Sequence, residues 1–216
     1  PSAWSAEAAR RARVDPDLVQ VLNACIELPE PTPLARREPD VLTVGRQGTS
    51  KGVELLVGAV ARAAAGRRGG RLEGGGTGRE AVLLREQSAR TSCAERISFL
   101  GQVTGEAKRA ALSRASIGVV PSRSESFGGT LLEFEAQGLA CVATAVGGMA
   151  ELTDGGRAAR CVPPDDVDAL AGALAELMGD SEARRELGEA ARRTASGFSW
   201  EATAERYEAL YALLRG

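Results

Sequence analysis

From Asp40 onward, short apolar runs alternate with stretches of helical character, and this alternation narrows the possible folds more than any other feature of the chain. The apolar runs are Val41-Leu42-Thr43-Val44, a weak one around Leu72, Arg96-Ile97-Ser98-Phe99-Leu100, Ile117 to Pro121, Ala140 to Ala145, and Ala159 to Val162. Helices are expected from Val53 to Ala65, from Arg79 to Ala89, from an N-cap at Thr104 to Ala115, and from Gly128 to Gln137. A Gly147-Gly148 turn leads into a short helix, and three more helices start near Asp166, Ser181 and Ser199. Strands so short and so continuously apolar, alternating with helices, indicate a parallel sheet covered on both faces. The predicted class is therefore α/β, a doubly wound parallel sheet of Rossmann-like type. Such sheets bind ligands at the carboxyl ends of their strands.

The first 39 residues do not share this rhythm. Pro29, Pro31, Pro33 and Pro39 interrupt regular structure, and Leu18 to Leu28 is one candidate strand. Residue 1 is proline rather than methionine, as in a cut or processed piece. At 44 % hydrophobic residues the chain can bury a core, which excludes a disordered chain. The formal net charge of −2 is spread along the length, and Arg67-Arg68 and Arg192-Arg193 read as solvated turns, so nucleic acid is not an expected partner. Cys25, Cys93, Cys141 and Cys161 form no C-x-x-C pair, and there is no histidine, so no metal site is expected. The cysteines read as small buried hydrophobes in a reduced compartment. Nothing resembles a signal peptide or a membrane span, and a cytoplasmic location is expected. Without histidine, acid–base work falls to carboxylates, to the substrate or to another domain.

The most informative segment is Ser124-Glu125-Ser126-Phe127-Gly128-Gly129-Thr130-Leu131-Leu132-Glu133, which leaves a strand, turns through glycines and enters a helix. Unpaired amides at a helix start favour an anion. Glu125 and Glu133 would repel a phosphate, but a carboxylate suits the vicinal hydroxyls of a ribose or hexose. The plainer alternative is a glycine turn with two solvated glutamates. Gly45-Arg46-Gln47-Gly48-Thr49-Ser50-Lys51-Gly52 also follows a strand, and its two cations could clamp a diphosphate or simply be solvated. Only Lys51 and Lys108 are lysine among 27 basic residues, which points to a demand for a compact charge at Lys51. Gly74-Gly75-Gly76-Thr77-Gly78 resembles the phosphate loop of tubulin-like GTPases and, loosely, a dinucleotide fingerprint. Arg79 takes the place of the last fingerprint glycine, and nearly no apolar strand precedes the cluster.

Together these motifs resemble the C-terminal domain of retaining GT-B glycosyltransferases of the large family 4, over about Val19 to Gly216. The resemblance rests on Glu125 and Glu133 around Ser-Phe-Gly, Val44-Gly45-Arg46 with Lys51-Gly52, and Phe99-Leu100-Gly101-Gln102-Val103. Pro121-Ser122, Val146-Gly147-Gly148 with Glu151, and Phe198-Ser199-Trp200 complete it. It implies that residues 40–197 bind a nucleotide sugar, that 1–39 is a linker or partial N-terminal segment, and that 198–216 is a helix returning to an N-terminal domain. It further implies that Arg46 and Lys51 neutralise the donor pyrophosphate, that Glu133 holds the ribose, and that Glu125 with the backbone of Ser126, Phe127 and Gly128 holds the sugar. Amides near Gly129 and Thr130 would face phosphate, and the backbone at Val103 would meet the base, with Lys108 nearby.

The implied partners are a UDP-, GDP-, ADP- or dTDP-linked sugar and an N-terminal acceptor-binding domain in cis or trans, with a peripheral membrane acceptor among the candidates. No cofactor and no metal is expected. A non-catalytic sugar-nucleotide-binding or interaction module is the alternative, and an epimerase or phosphorylase shares the fold. Two departures from the family pattern stand out. Only Leu72 is apolar in Gly69 to Glu73, so that strand is expected to be irregular, and Glu135 replaces an apolar or neutral residue, which bears on helix packing. The stripe Trp200, Tyr207, Leu210, Tyr211 and Leu214 on the last helix would lie either open toward the N-terminal domain or packed on this domain's own core.

Overall fold

A computed structural model of the chain describes residues 7, 11, 24–30, 40–64 and 70–215. Six strands, β1 (Val41–Val44), β2 (Leu72–Gly75), β3 (Ile97–Gly101), β4 (Ile117–Val120), β5 (Ala140–Thr144) and β6 (Ala159–Val162), form one sheet. All ladders are parallel, and the order is β3-β2-β1-β4-β5-β6. The chain winds outward from β1 to β3, then returns to lay β4 on the other side of β1. Winding therefore reverses between β1 and β4, and a crevice opens at their carboxyl ends. The expected doubly wound sheet is the observed one.

The helices are α1 (Val53–Ala63), α2 (Ala81–Ala89), α3 (Gly105–Arg114), α4 (Gly129–Ala136), α5 (Met149–Leu152), α6 (Val167–Gly179), α7 (Ser181–Ser196) and α8 (Trp200–Arg215). Successive strand residues point to opposite faces, so each strand feeds two cores. Val41, Ile117, Val119 and Val142 meet Leu56, Val60, Leu170 and Leu174 of α1 and α6 on one face. Leu42, Val120, Cys141 and Ala143 meet Leu131, Phe134 and Leu152 of α4 and α5 on the other. Complete burial of a leucine or phenylalanine is worth about 1.5–3 kcal/mol, and these two layers hold the strand ends, and hence the crevice, in place.

Several local expectations shift. Helix ends fall one or two residues inside the expected bounds, as at Ala63 rather than Ala65. Thr104 stands at the N-cap of α3 in extended geometry, yet its side chain makes no capping bond. The capping side chains are aspartates: Asp166 accepts from the Ala169 amide at 2.8 Å, and Asp180 accepts from Glu182 and Ala183 at 2.9 and 3.0 Å. The candidate strand Leu18 to Leu28 is described only from Ala24 onward, where Ile26 forms a single parallel bridge to Ser199. β2 does form, and its register with β3 slips between Gly74 and Gly75, the irregularity expected of a strand with one apolar residue.

Arg192 is not simply solvated: it donates to the carbonyls of Ala136 and Pro29, the latter at 2.6 Å, and so ties α7 to the entering chain. Arg193 is exposed, and Arg67-Arg68 lies outside the described residues. All four cysteines are free. Cys93 and Cys141 are buried as expected, whereas Cys25 is half-buried and Cys161 exposed. Among the described residues no helix is long and apolar enough to cross a membrane.

Glu135 departs furthest from ordinary core composition. It is fully buried on α4, and neither carboxyl oxygen has a hydrogen-bond partner. Burial, reinforced by the negative field of Asp154, pushes its pKa up to about 9. The shift favours the neutral carboxyl, and α4 still buries Leu131, Leu132, Phe134 and Ala136 beside it.

Candidate functional site

The β1–α1 loop and the β4–α4 loop face each other across the crevice. Between them is a cleft of about 230 Å³ whose walls include Gly45, Arg46, Lys51, Glu125 and Thr130. Four residues expected in the site, Arg46, Lys51, Glu125 and Thr130, thus meet in one cavity. The loops approach closely because of glycine: a Cβ on Gly52 (φ +63°) would fall 2.2 Å from the Pro121 carbonyl oxygen at the end of β4. Only glycine combines that contact with that backbone region.

The two lysines of the chain each reach one of the two glutamates. Lys51 Nζ pairs with Glu125 Oε2, and both side chains are mostly buried. Lys108 Nζ, on the first turn of α3, lies 2.6 Å from Glu133 Oε1 on α4. The lysines are drawn to the site from opposite sides, as compact charges on flexible stems. Arg46 is exposed at the mouth of the cleft, and no ion pair among the described residues engages it.

Gly128 (φ +101°) ends the loop in left-handed geometry, and no side chain caps α4. The first amide of α4 seen to bond back to the loop is that of Leu132, to the Gly128 carbonyl at 3.0 Å. The amides of Gly129 and Thr130 therefore stand at the positive end of the helix dipole, with Thr130 on the cleft wall.

Not every expected residue presents its side chain here. Phe127 is buried in the core, 6.0 Å ring to ring from Phe198, so only its backbone can serve the site. Ser126 is exposed, and Val103 packs over Gly75 at the edge of the cleft. Glu133 and Lys108 line an adjoining groove of about 720 Å³ between α3 and α4 rather than the cleft itself.

The Gly74–Gly78 cluster packs against the β1–α1 loop. Gln47 donates to Thr77 and accepts from Glu80, at 2.9 and 3.3 Å. A Cβ on Gly76 or Gly78 would fall 1.8 or 2.0 Å from the carbonyl oxygens of Gly45 or Gln47. Gly147, named from the sequence only as a turn and as part of the Val146-Gly147-Gly148 match, packs against Glu125, and two contributors were not singled out at all: Gln47, buried on the cleft wall, and Arg123, which pairs with Glu54. For Gln47 and Arg123 the sequence carried no signal beyond proximity to the motifs.

The comparisons with known proteins bear on this arrangement. The family model described as glycosyl transferases group 1 matches residues 38–180, well over half of the chain and all six strands. The chain belongs to this family. A D-inositol 3-phosphate glycosyltransferase of Corynebacterium jeikeium is 35 % identical over 178 residues, which cover 78 % of this chain and 42 % of that protein. The glycogen synthase of Mycobacterium tuberculosis is 31 % identical over 185 residues, covering 83 % of this chain and 45 % of that one. The chain thus spans less than half the length of these two relatives. Among solved structures, sucrose-phosphate synthase from Thermosynechococcus elongatus superposes with a TM-score of 0.78 at 29 % identity, covering 97 % of this chain and 56 % of that one. The fold is also that of Anabaena HepE, solved in complex with UDP, with a TM-score of 0.86 at 19 % identity and coverage of 98 % and 62 %.

Proposed function

We propose that this chain is the donor-binding, C-terminal half of a retaining GT-B glycosyltransferase of family 4. On this reading it holds a nucleoside-diphosphate sugar for transfer to an acceptor carried by an N-terminal domain. The observation that carries the reading is the meeting of Arg46, Lys51, Glu125 and the uncapped start of α4 in one cleft, at the point where the sheet reverses its winding. Membership of a transferase family whose structural neighbours include a UDP complex supports it.

In this reading Arg46 and Lys51 neutralise the pyrophosphate, together with the amides of Gly129 and Thr130. Donor entry lets Lys51 exchange Glu125 for phosphate, and Glu125 then accepts hydroxyls of the sugar alongside the backbone of Ser126, Phe127 and Gly128. Glu133, held by Lys108, takes the ribose hydroxyls, and the backbone at Val103 meets the base. Charge stabilisation on the departing diphosphate supplies much of the rate in a chain without histidine. Trp200, Tyr207, Tyr211, Leu213 and Leu214 are exposed on α8, which suits a surface covered by the N-terminal domain.

Substitution of Glu125 separates an enzyme from a binding module. In the assembly with its N-terminal partner, Glu125→Ala is expected to cut sugar transfer by about 100-fold or more while nucleoside diphosphate affinity changes little. Transfer at the wild-type rate would refute the catalytic role.

A further inference from the structure

The cleft depends on a residue that does not line it. Arg123 follows β4 and reaches back across the mouth of α1. Its backbone amide donates to the Ser50 carbonyl at 2.9 Å, and its Nη1 donates to the Thr49 carbonyl. The same Nη1 lies 2.5 Å from Glu54 Oε1 on the first turn of α1, and Nε donates to Asp165 Oδ1 at 2.6 Å in the loop between β6 and α6. One guanidinium thus joins three separate segments, with 28 % of its side chain exposed.

Its partners depend on it in turn. The other Glu54 oxygen is buried without a hydrogen-bond partner, so that carboxylate relies on Arg123 for its compensation. Asp165 is held at φ +64°, a region that residues other than glycine seldom adopt. Burial works against the charged guanidinium, but the hydrogen bonds and charges of Glu54 and Asp165 outweigh it and move its pKa above the ordinary arginine value.

The position of these bonds gives them a consequence. Ser50 immediately precedes Lys51, and Arg123 comes two residues before Glu125. The main-chain Arg123–Ser50 bond sets the spacing of the two loops whichever side chain stands at 123, and the guanidinium fixes the orientation of the Thr49–Lys51 turn. We propose that Arg123 is a positioning residue, holding the Thr49–Lys51 turn in register with the β4–α4 loop so that Lys51 and Glu125 meet across the donor cleft. This rests on the donor-binding reading. It assigns Arg123 to the diphosphate subsite rather than to the nucleoside subsite, because the turn it holds carries Lys51, whereas Glu133 and Lys108 stand on helices that Arg123 does not touch. A lysine could reach one of these partners but not span all of them, because it lacks the planar fork.

The test is calorimetric titration of the whole chain with a nucleoside diphosphate and the matching monophosphate, for wild type, Arg123→Ala, Arg123→Lys and Asp165→Asn. Arg160→Ala, which breaks the Arg160–Glu176 pair away from the cleft, is the control. Arg123→Ala is expected to weaken the diphosphate by about tenfold or more, as misplacement of a binding group does, with the monophosphate nearly unchanged. Arg123→Lys should recover part of the loss, and Asp165→Asn, which keeps the fold with one arm weakened, should lose less in the same direction. Arg160→Ala should leave the ratio of the two affinities unchanged. An unchanged ratio in both Arg123→Ala and Asp165→Asn would overturn the proposal, whatever happens to the unfolding temperature. Wild-type chain that binds no diphosphate would instead overturn the donor reading, and the proposal with it, before any variant is compared.

Discussion

Replacing Glu135 by leucine should raise the unfolding temperature, by an amount that grows with pH. In the unfolded chain this carboxyl ionises near its ordinary value, but in the fold burial keeps it protonated up to about pH 9. Between those two values the folded state holds a proton that the unfolded state has released. Stability therefore falls as pH rises through the window, by about 1.4 kcal/mol per unit. Below the window the penalty is absent, and only two unpartnered oxygens distinguish the residue from a hydrophobe. Leucine fills similar space without either cost. The expected gain is about 1–3 kcal/mol near pH 5 and larger near pH 8, where each kcal/mol corresponds to about 2–4 °C for a domain of this size. Thermal unfolding of both proteins at pH 5, 6.5 and 8 checks this. Curves that stay parallel, or a variant less stable at pH 8, would contradict the buried neutral carboxyl.

Gly147→Ala should do the opposite, lowering stability and dismantling the site together. Gly147 sits at φ +54°, and a Cβ there would fall 1.8 Å from the Glu125 carbonyl oxygen, which also accepts from the Gly148 amide at 3.2 Å. Neither atom can yield by rotating a side chain. The left-handed backbone costs alanine about 1–2 kcal/mol, and the displaced loop about 1–3 more. Moving the Glu125 backbone also draws its carboxylate away from Lys51. Gly172→Ala is the contrast, since a Cβ on that exposed helical glycine meets nothing within 4 Å. It should stabilise by up to about 1 kcal/mol. Denaturant unfolding of the two variants, with nucleotide titration of each, separates them.

The sheet could be read from the sequence because its strands are apolar on both faces and its helices carry the complementary stripes, as with Val41 and Leu42 feeding opposite cores. The site motifs could be read because glycines at close loop contacts, such as Gly52 and Gly128, leave a mark in the sequence. The two lysines, conspicuous by their scarcity, each pair with one of the two glutamates, Lys51 with Glu125 and Lys108 with Glu133. What could not be read depends on distant neighbours. Thr104 has a capping side chain at the right place, but nothing in its spacing says whether the hydroxyl turns inward. Gly74–Gly78 looks like a phosphate loop in isolation, and only the approach of Gly45 and Gln47 explains its glycines. Arg123 and Arg192 look like solvated arginines, because their partners lie far away in sequence, at Glu54, Asp165, Pro29 and Ala136.

The central claim is that the cleft binds a nucleoside diphosphate through Arg46 and Lys51. The most direct measurement is calorimetric titration of the chain with UDP, GDP, ADP and dTDP, repeated on the Arg46→Ala, Lys51→Ala double variant. Binding of one of the four in the micromolar-to-millimolar range, lost in the double variant, is the predicted result. Binding that survives the double substitution, or no binding of any of the four, would contradict it.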